Sequence, residues 1–121
     1  MEMNDEMKRQ LADFQQLQQQ LQMVSYQKQQ IALQVQELEK ASEELGKSAE
    51  GKTVYRFVGT LFVPKNKPEL AKNLADEKES LQLRLKSVQK QEEKLTERLE
   101  SIKKWFDKAQ RSGGENASIA K

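Results

Sequence analysis

The sequence predicts a mainly α chain: a long antiparallel two-helix coiled coil with a single β-hairpin at the bend. Two stretches of near-equal length carry apolar residues at alternating steps of three and four, the spacing of a coiled-coil seam. Between them lies a short β-branched and aromatic run interrupted by Gly59-Thr60. Of the 121 residues, 33% are charged and only 36% are apolar. That is too little to fill a conventional globular core, so the chain is expected to be elongated, oligomeric or both.

The first helix is expected over residues 1–45. Its seam runs through Met3, Met7, Phe14, Leu17, Leu21, Val24, Ile31, Val35, Leu38 and Leu45, with Gln10, Lys28 and Ser42 in the same row. Gly46 follows the last seam residue and suits a left-handed C-cap. The hairpin is expected over 53–64: Val54 to Val58 and Leu61 to Val63 form the strands, and Gly59-Thr60 fits a type II′ turn that sets Phe57 opposite Phe62 and Val58 opposite Leu61. The second helix is expected over 67–110. Asn66 is its N-cap with Glu69 as capping partner, and its seam runs from Leu74 through Leu81, Leu85, Val88, Leu95, Leu99, Ile102 and Phe106 to Ala109, interrupted by Lys78 and Glu92. Residues 111–121 lack periodicity and are expected to be a mobile tail, so the chain is a single domain with four segments.

Composition narrows function by removing chemistries. There is no Cys and no His, which excludes disulfides, thiolate nucleophiles and the commonest general base and metal ligand. The carboxylates lie beside Lys and Arg on solvated helix faces, so no catalytic residue, metal site or cofactor is expected and the chain reads as no enzyme. A net charge of +2 gives no case for nucleic acid, and no apolar run approaches a membrane span or a signal segment, so a soluble, cytoplasmic protein is expected. Gly46-Lys47-Ser48-Ala49-Glu50-Gly51-Lys52-Thr53 satisfies the P-loop pattern as text. A working P-loop follows a strand and opens a helix, whereas here a helix precedes and a strand follows, so the segment reads as a connector.

A lone two-stranded hairpin is marginal in water, and this one is apolar on both faces. Val54, Tyr55, Phe57, Val58, Leu61, Phe62 and Val63 are therefore the expected oligomerisation element. At the chain ends, Met1, Met3, Met7, Leu11 and Phe14 on one helix and Ile102, Trp105 and Phe106 on the other gather large adaptable apolar groups. Leu11 and Trp105 fall outside the seams, which favours an exposed apolar grip there over simple closure of the last seam layers.

The Gln-rich stretch Gln10-Leu11-Ala12-Asp13-Phe14-Gln15-Gln16-Leu17-Gln18-Gln19-Gln20 and the bend Val54-Tyr55-Arg56-Phe57-Val58-Gly59-Thr60-Leu61-Phe62-Val63 resemble those of β-type prefoldin subunits, especially archaeal forms. One hairpin instead of two is what places the resemblance in the β class. The resemblance implies an ATP-independent chaperone subunit in an α2β4 heterohexamer with α-type prefoldin subunits, whose hairpins form barrels and whose coiled-coil tips hold non-native protein clients. It further implies transfer of clients to a group II chaperonin in the cytosol. A structural spacer or filament-forming coiled coil without client binding would share the seams and the hairpin.

Overall fold

The structure, a computed structural model, describes residues 4–120, with side chains described through residue 111. The element order is α1 (Asp5–Lys47), β1 (Val54–Val58), β2 (Leu61–Lys65) and α2 (Lys67–Ala120). The chain divides into two compact units, one of residues 1–27 with 88–121 and one of residues 28–87.

In the first unit α1 is capped by Asn4, whose carbonyl oxygen and Oδ1 accept the amides of Lys8 (3.1 Å) and Met7 (2.8 Å). Asp5 and Glu6 follow in the first turn, where the helix dipole favours negative charge. This cap escaped the sequence reading, although Asn followed by two acids is an ordinary helix start. Leu17 and Val88 are buried, and Phe14, Leu21, Val24, Leu95, Leu99, Ile102 and Phe106 are half-buried beside them. The charge at Glu92 within the α2 seam is served by Ser25 Oγ, which donates to Glu92 Oε2 at 2.8 Å. Beyond residue 110, where the helix was expected to end in a mobile tail, the backbone stays helical to Ala120. No proline follows, and Gly113-Gly114 weakens propagation by about 1 kcal/mol per residue without removing a hydrogen bond.

The second unit holds the hairpin. Ile31 and Val35 are buried along α1, and Leu45, Leu70 and Leu74 form a cluster against which Leu38 and Val54 pack. Leu70 lies one turn before the expected start of the second seam, so that seam begins earlier than its periodicity from Leu74 indicated. Lys78 is tolerated in the seam because its Nζ reaches Glu39 Oε1 at 3.3 Å. Gly46 corrects the expectation at the end of α1. It is not left-handed: the only described positive-φ residues are Gly51 and Gly59, and the helix runs on to Lys47. Ser48 terminates it instead, its amide (3.1 Å) and its Oγ (2.7 Å) both donating to the Leu45 carbonyl. Lys67 Nζ donates to the Ser48 carbonyl at 2.9 Å and the Gly46 carbonyl at 3.5 Å, tying the start of α2 to the end of α1.

The hairpin has the expected register, with Phe57 opposite Phe62 and Val58 opposite Leu61. Gly59 has φ +60° and Thr60 is not positive, the backbone pattern of a II′ turn. The second strand passes through Pro64 to Lys65, beyond the expected end at Val63. Counting from the turn, Pro64 and Tyr55 form a pair whose amides point away from the partner strand, so the missing N–H removes no ladder bond. At the head of α2, Asn66 Oδ1 accepts the Glu69 amide at 2.8 Å as expected of a cap. The Glu69 carboxylate does not return to Asn66; it pairs with Lys65 Nζ at 3.4 Å.

Candidate functional site

Two sets of residues were expected to carry function, and the structure sorts each of them. Alternation along the strands puts Val54, Arg56, Val63 and Lys65 on one hairpin face, all half-buried. Val54 packs on the leucine cluster, so it seats the hairpin on its own helices. The opposite face carries Tyr55, Phe57 and Phe62, which are 62%, 61% and 71% exposed. The Phe57 and Phe62 rings lie 5.0 Å apart, tilted by 48°. Val58 and Leu61, flanking the turn, are also exposed. Five large apolar side chains on ten strand residues thus stand uncovered in the single chain, far more than isolated surface hydrophobics require.

Arg56 is a participant that sequence reasoning missed. Its Nη2 contacts both carboxylate oxygens of Glu77, at 2.6 and 2.8 Å, with both side chains only partly exposed. The pair ties the inner face of the hairpin to α2. A cation between two apolar neighbours in a strand was the signal available: it needed a partner, and Glu77 lies one helical turn from Leu74.

In the first unit, Leu11, Phe14 and Phe106 surround a small notch with Lys103 and Asp107 at its rim. Leu11 is 37% exposed, while Met7, Phe14, Ile102, Trp105 and Phe106 are half-buried. Trp105 meets Phe106 edge-on, ring centres 5.0 Å apart, but does not line the notch. Met1 and Met3 lie outside the described residues.

The P-loop text spans the last turn of α1 and the connector to β1, with Gly51 at φ +77°. A helix therefore precedes it and a strand follows, the reverse of the phosphate-binding order. Among the described residues no helix is long and apolar enough to cross a membrane.

The sequence pattern of the prefoldin subunit family matches residues 8–112. This chain belongs to the prefoldin family. It is 39% identical over 108 residues to prefoldin subunit beta of Methanosarcina mazei, covering 89% of this chain and 92% of that protein. To prefoldin subunit beta of Archaeoglobus fulgidus it is 40% identical over 97 residues, or 80% of this chain and 84% of the other. Among solved structures, the prefoldin beta subunit from Thermococcus strain KS-1 matches with a TM-score of 0.82 at 32% identity, covering 89% of this chain and 95% of that one. The prefoldin beta2 subunit of the same strain shares the fold, with a TM-score of 0.68 at 22% identity over 75% of this chain and 97% of that one. Like those relatives the chain is a β-type prefoldin, a non-enzymatic chaperone subunit that assembles with other prefoldin subunits.

Proposed function

We propose that this subunit joins α-type prefoldin partners in an α2β4 heterohexamer through its hairpin, and holds non-native proteins at the end of the first unit where α1 begins. The observation that carries the assembly half is the exposed Tyr55, Phe57 and Phe62 face, because a two-stranded hairpin with that much bare aromatic surface gains most by extending into a larger sheet. Support for the gripping half is the notch of Leu11, Phe14 and Phe106 with Trp105 beside it, large apolar groups gathered near the start of α1. Several such weak contacts on one assembly give avidity for an unfolded chain while each releases separately, so no nucleotide is needed. Hand-over to a group II chaperonin in the cytoplasm then requires only competition for the client.

The test separates the halves. Replacing Phe57 and Leu61 by Lys should give smaller species by light scattering, because two charges would enter the joint. Removing residues 1–7 together with 105–121 should leave assembly intact and weaken suppression of client aggregation. Unchanged suppression would refute the grip, and an unchanged mass for the lysine variant would refute the joint.

A further inference from the structure

We propose that a groove along one side of the first unit is a second contact surface for non-native chains, suited to a segment that carries apolar side chains next to carboxylates. The inference rests on the reading that this subunit binds such chains.

The heptad spacing places Gln20 and Gln27 of α1 and Gln91 and Arg98 of α2 immediately beside the seam on one common side, with Met23 and Lys94 one row further out. These residues line a single groove in the structure, floored by Met23, Val24 and Leu95. Met23 is 66% exposed although it belongs to neither seam, so no internal packing demands a large apolar group there. Its flexible thioether can adapt to differing side chains.

The rim is charged on one bank only. Lys94 and Arg98 stand on α2 and uncharged glutamines on α1, and the lining holds no carboxylate. Neither cation has an ion pair among the described residues; Asp13 borders an adjoining hollow with Arg98 without pairing to it. Lys94 and Arg98 are four residues apart, and Lys90 is four before Lys94, so the row repels itself along the helix. A carboxylate lying in the groove relieves that repulsion while its apolar neighbours cover Met23. Trp105 is one heptad beyond Arg98 in the same row of α2, toward the end of the unit where α1 begins.

The chain lacks Cys, so single cysteines can carry a benzophenone cross-linker without a background. Met23→Cys probes the groove, Gln22→Cys the outer surface of α1 turned away from it, and Leu11→Cys the notch, each in the complex with its sister subunits and challenged with casein as a disordered acidic client. Client adducts are expected from positions 23 and 11 and not from 22. Lys94→Glu with Arg98→Glu should reduce the yield at 23 about three- to tenfold, as expected for two exposed charges, and leave the yield at 11 unchanged. Adducts from 11 alone, equal yields at 22 and 23, adducts from 23 to another subunit, or a yield at 23 indifferent to the charge reversal would each overturn the groove. Absence of adducts from both 11 and 23 would overturn the notch as well, which distinguishes failure of the groove from failure of client binding.

Discussion

Leu74→Ala and Leu83→Ala remove the same atoms from the same helix nine residues apart, and the structure separates their costs. Leu74 is 6% exposed in the cluster with Leu45 and Leu70, whereas Leu83 is 62% exposed. Three carbons leave at each site. At about 0.8 kcal/mol per buried carbon the transfer loss at Leu74 is ~2.4 kcal/mol. A cavity contribution adds to this, but the cluster opens on a groove lined by Leu38, Val54 and Leu81, where neighbours can settle into the space. The expected cost is therefore about 2–3 kcal/mol, toward the low end for buried leucines. At Leu83 a change within ~0.5 kcal/mol is expected. Urea unfolding followed by circular dichroism gives both numbers, with protein concentration held fixed because assembly itself stabilises. Hydrogen exchange adds a second readout: the amides of Val54, Arg56 and Val58, which face the partner strand, should lose protection in Leu74→Ala, since Val54 rests on the cluster. Equal losses at the two sites, or a Leu74 cost below ~1 kcal/mol, would refute the placement of the core beneath the hairpin.

Gly46→Ala should stabilise the chain by about 0.5–1 kcal/mol, because Gly46 is helical and an added Cβ meets nothing within 4 Å; thermal melts check the sign. Gly59→Ala has the same open space but sits at φ +60°, so it should cost about 1–2 kcal/mol in hairpin stability, measurable as weakened assembly at low concentration. A double-mutant cycle with Arg56→Gln and Glu77→Gln should return a coupling of about 0.5–1 kcal/mol that shrinks in high salt, because the pair is only partly withdrawn from water. Asn66→Ala should lower helix stability by ~1 kcal/mol through loss of the cap on the Glu69 amide.

The glycine pair shows what was legible in the sequence. Gly59 was readable because only a few two-residue turns join twisted strands, and each prescribes its backbone. The seams were readable because a heptad repeated along a helix admits one facing. Gly46 was misread since a glycine after the last apolar residue is equally compatible with a left-handed cap and with one more helical turn. What decided between them was Ser48, whose hydroxyl serves the Leu45 carbonyl, and Lys67, which arrives from the far side of the hairpin. Partners distant in sequence leave no periodic trace, and the same holds for Arg56 and Glu77. The site residues were legible as a set but not as separate roles: composition marked the whole hairpin as sticky, while only the strand faces showed that Val54 is anchor and Phe57 is exposed.

That division of faces bears on why the hairpin stays poised and does not collapse onto the helices. The inner face carries half-buried Val54 and Val63 and, next to the turn, exposed Val58 and Leu61, but also Arg56 and Lys65, each already committed to a carboxylate on α2. Turning the hairpin over to bury Tyr55, Phe57 and Phe62 against the leucine cluster would break both ion pairs and expose Val54. A one-residue slip in strand pairing is the other route to the same exchange, since it sends every side chain to the other face. The II′ turn and the five-residue register oppose that slip. The aromatic face is thus held outward by charges on the inner one, so loss of the Arg56–Glu77 pair should loosen assembly more than it lowers the stability of either helix.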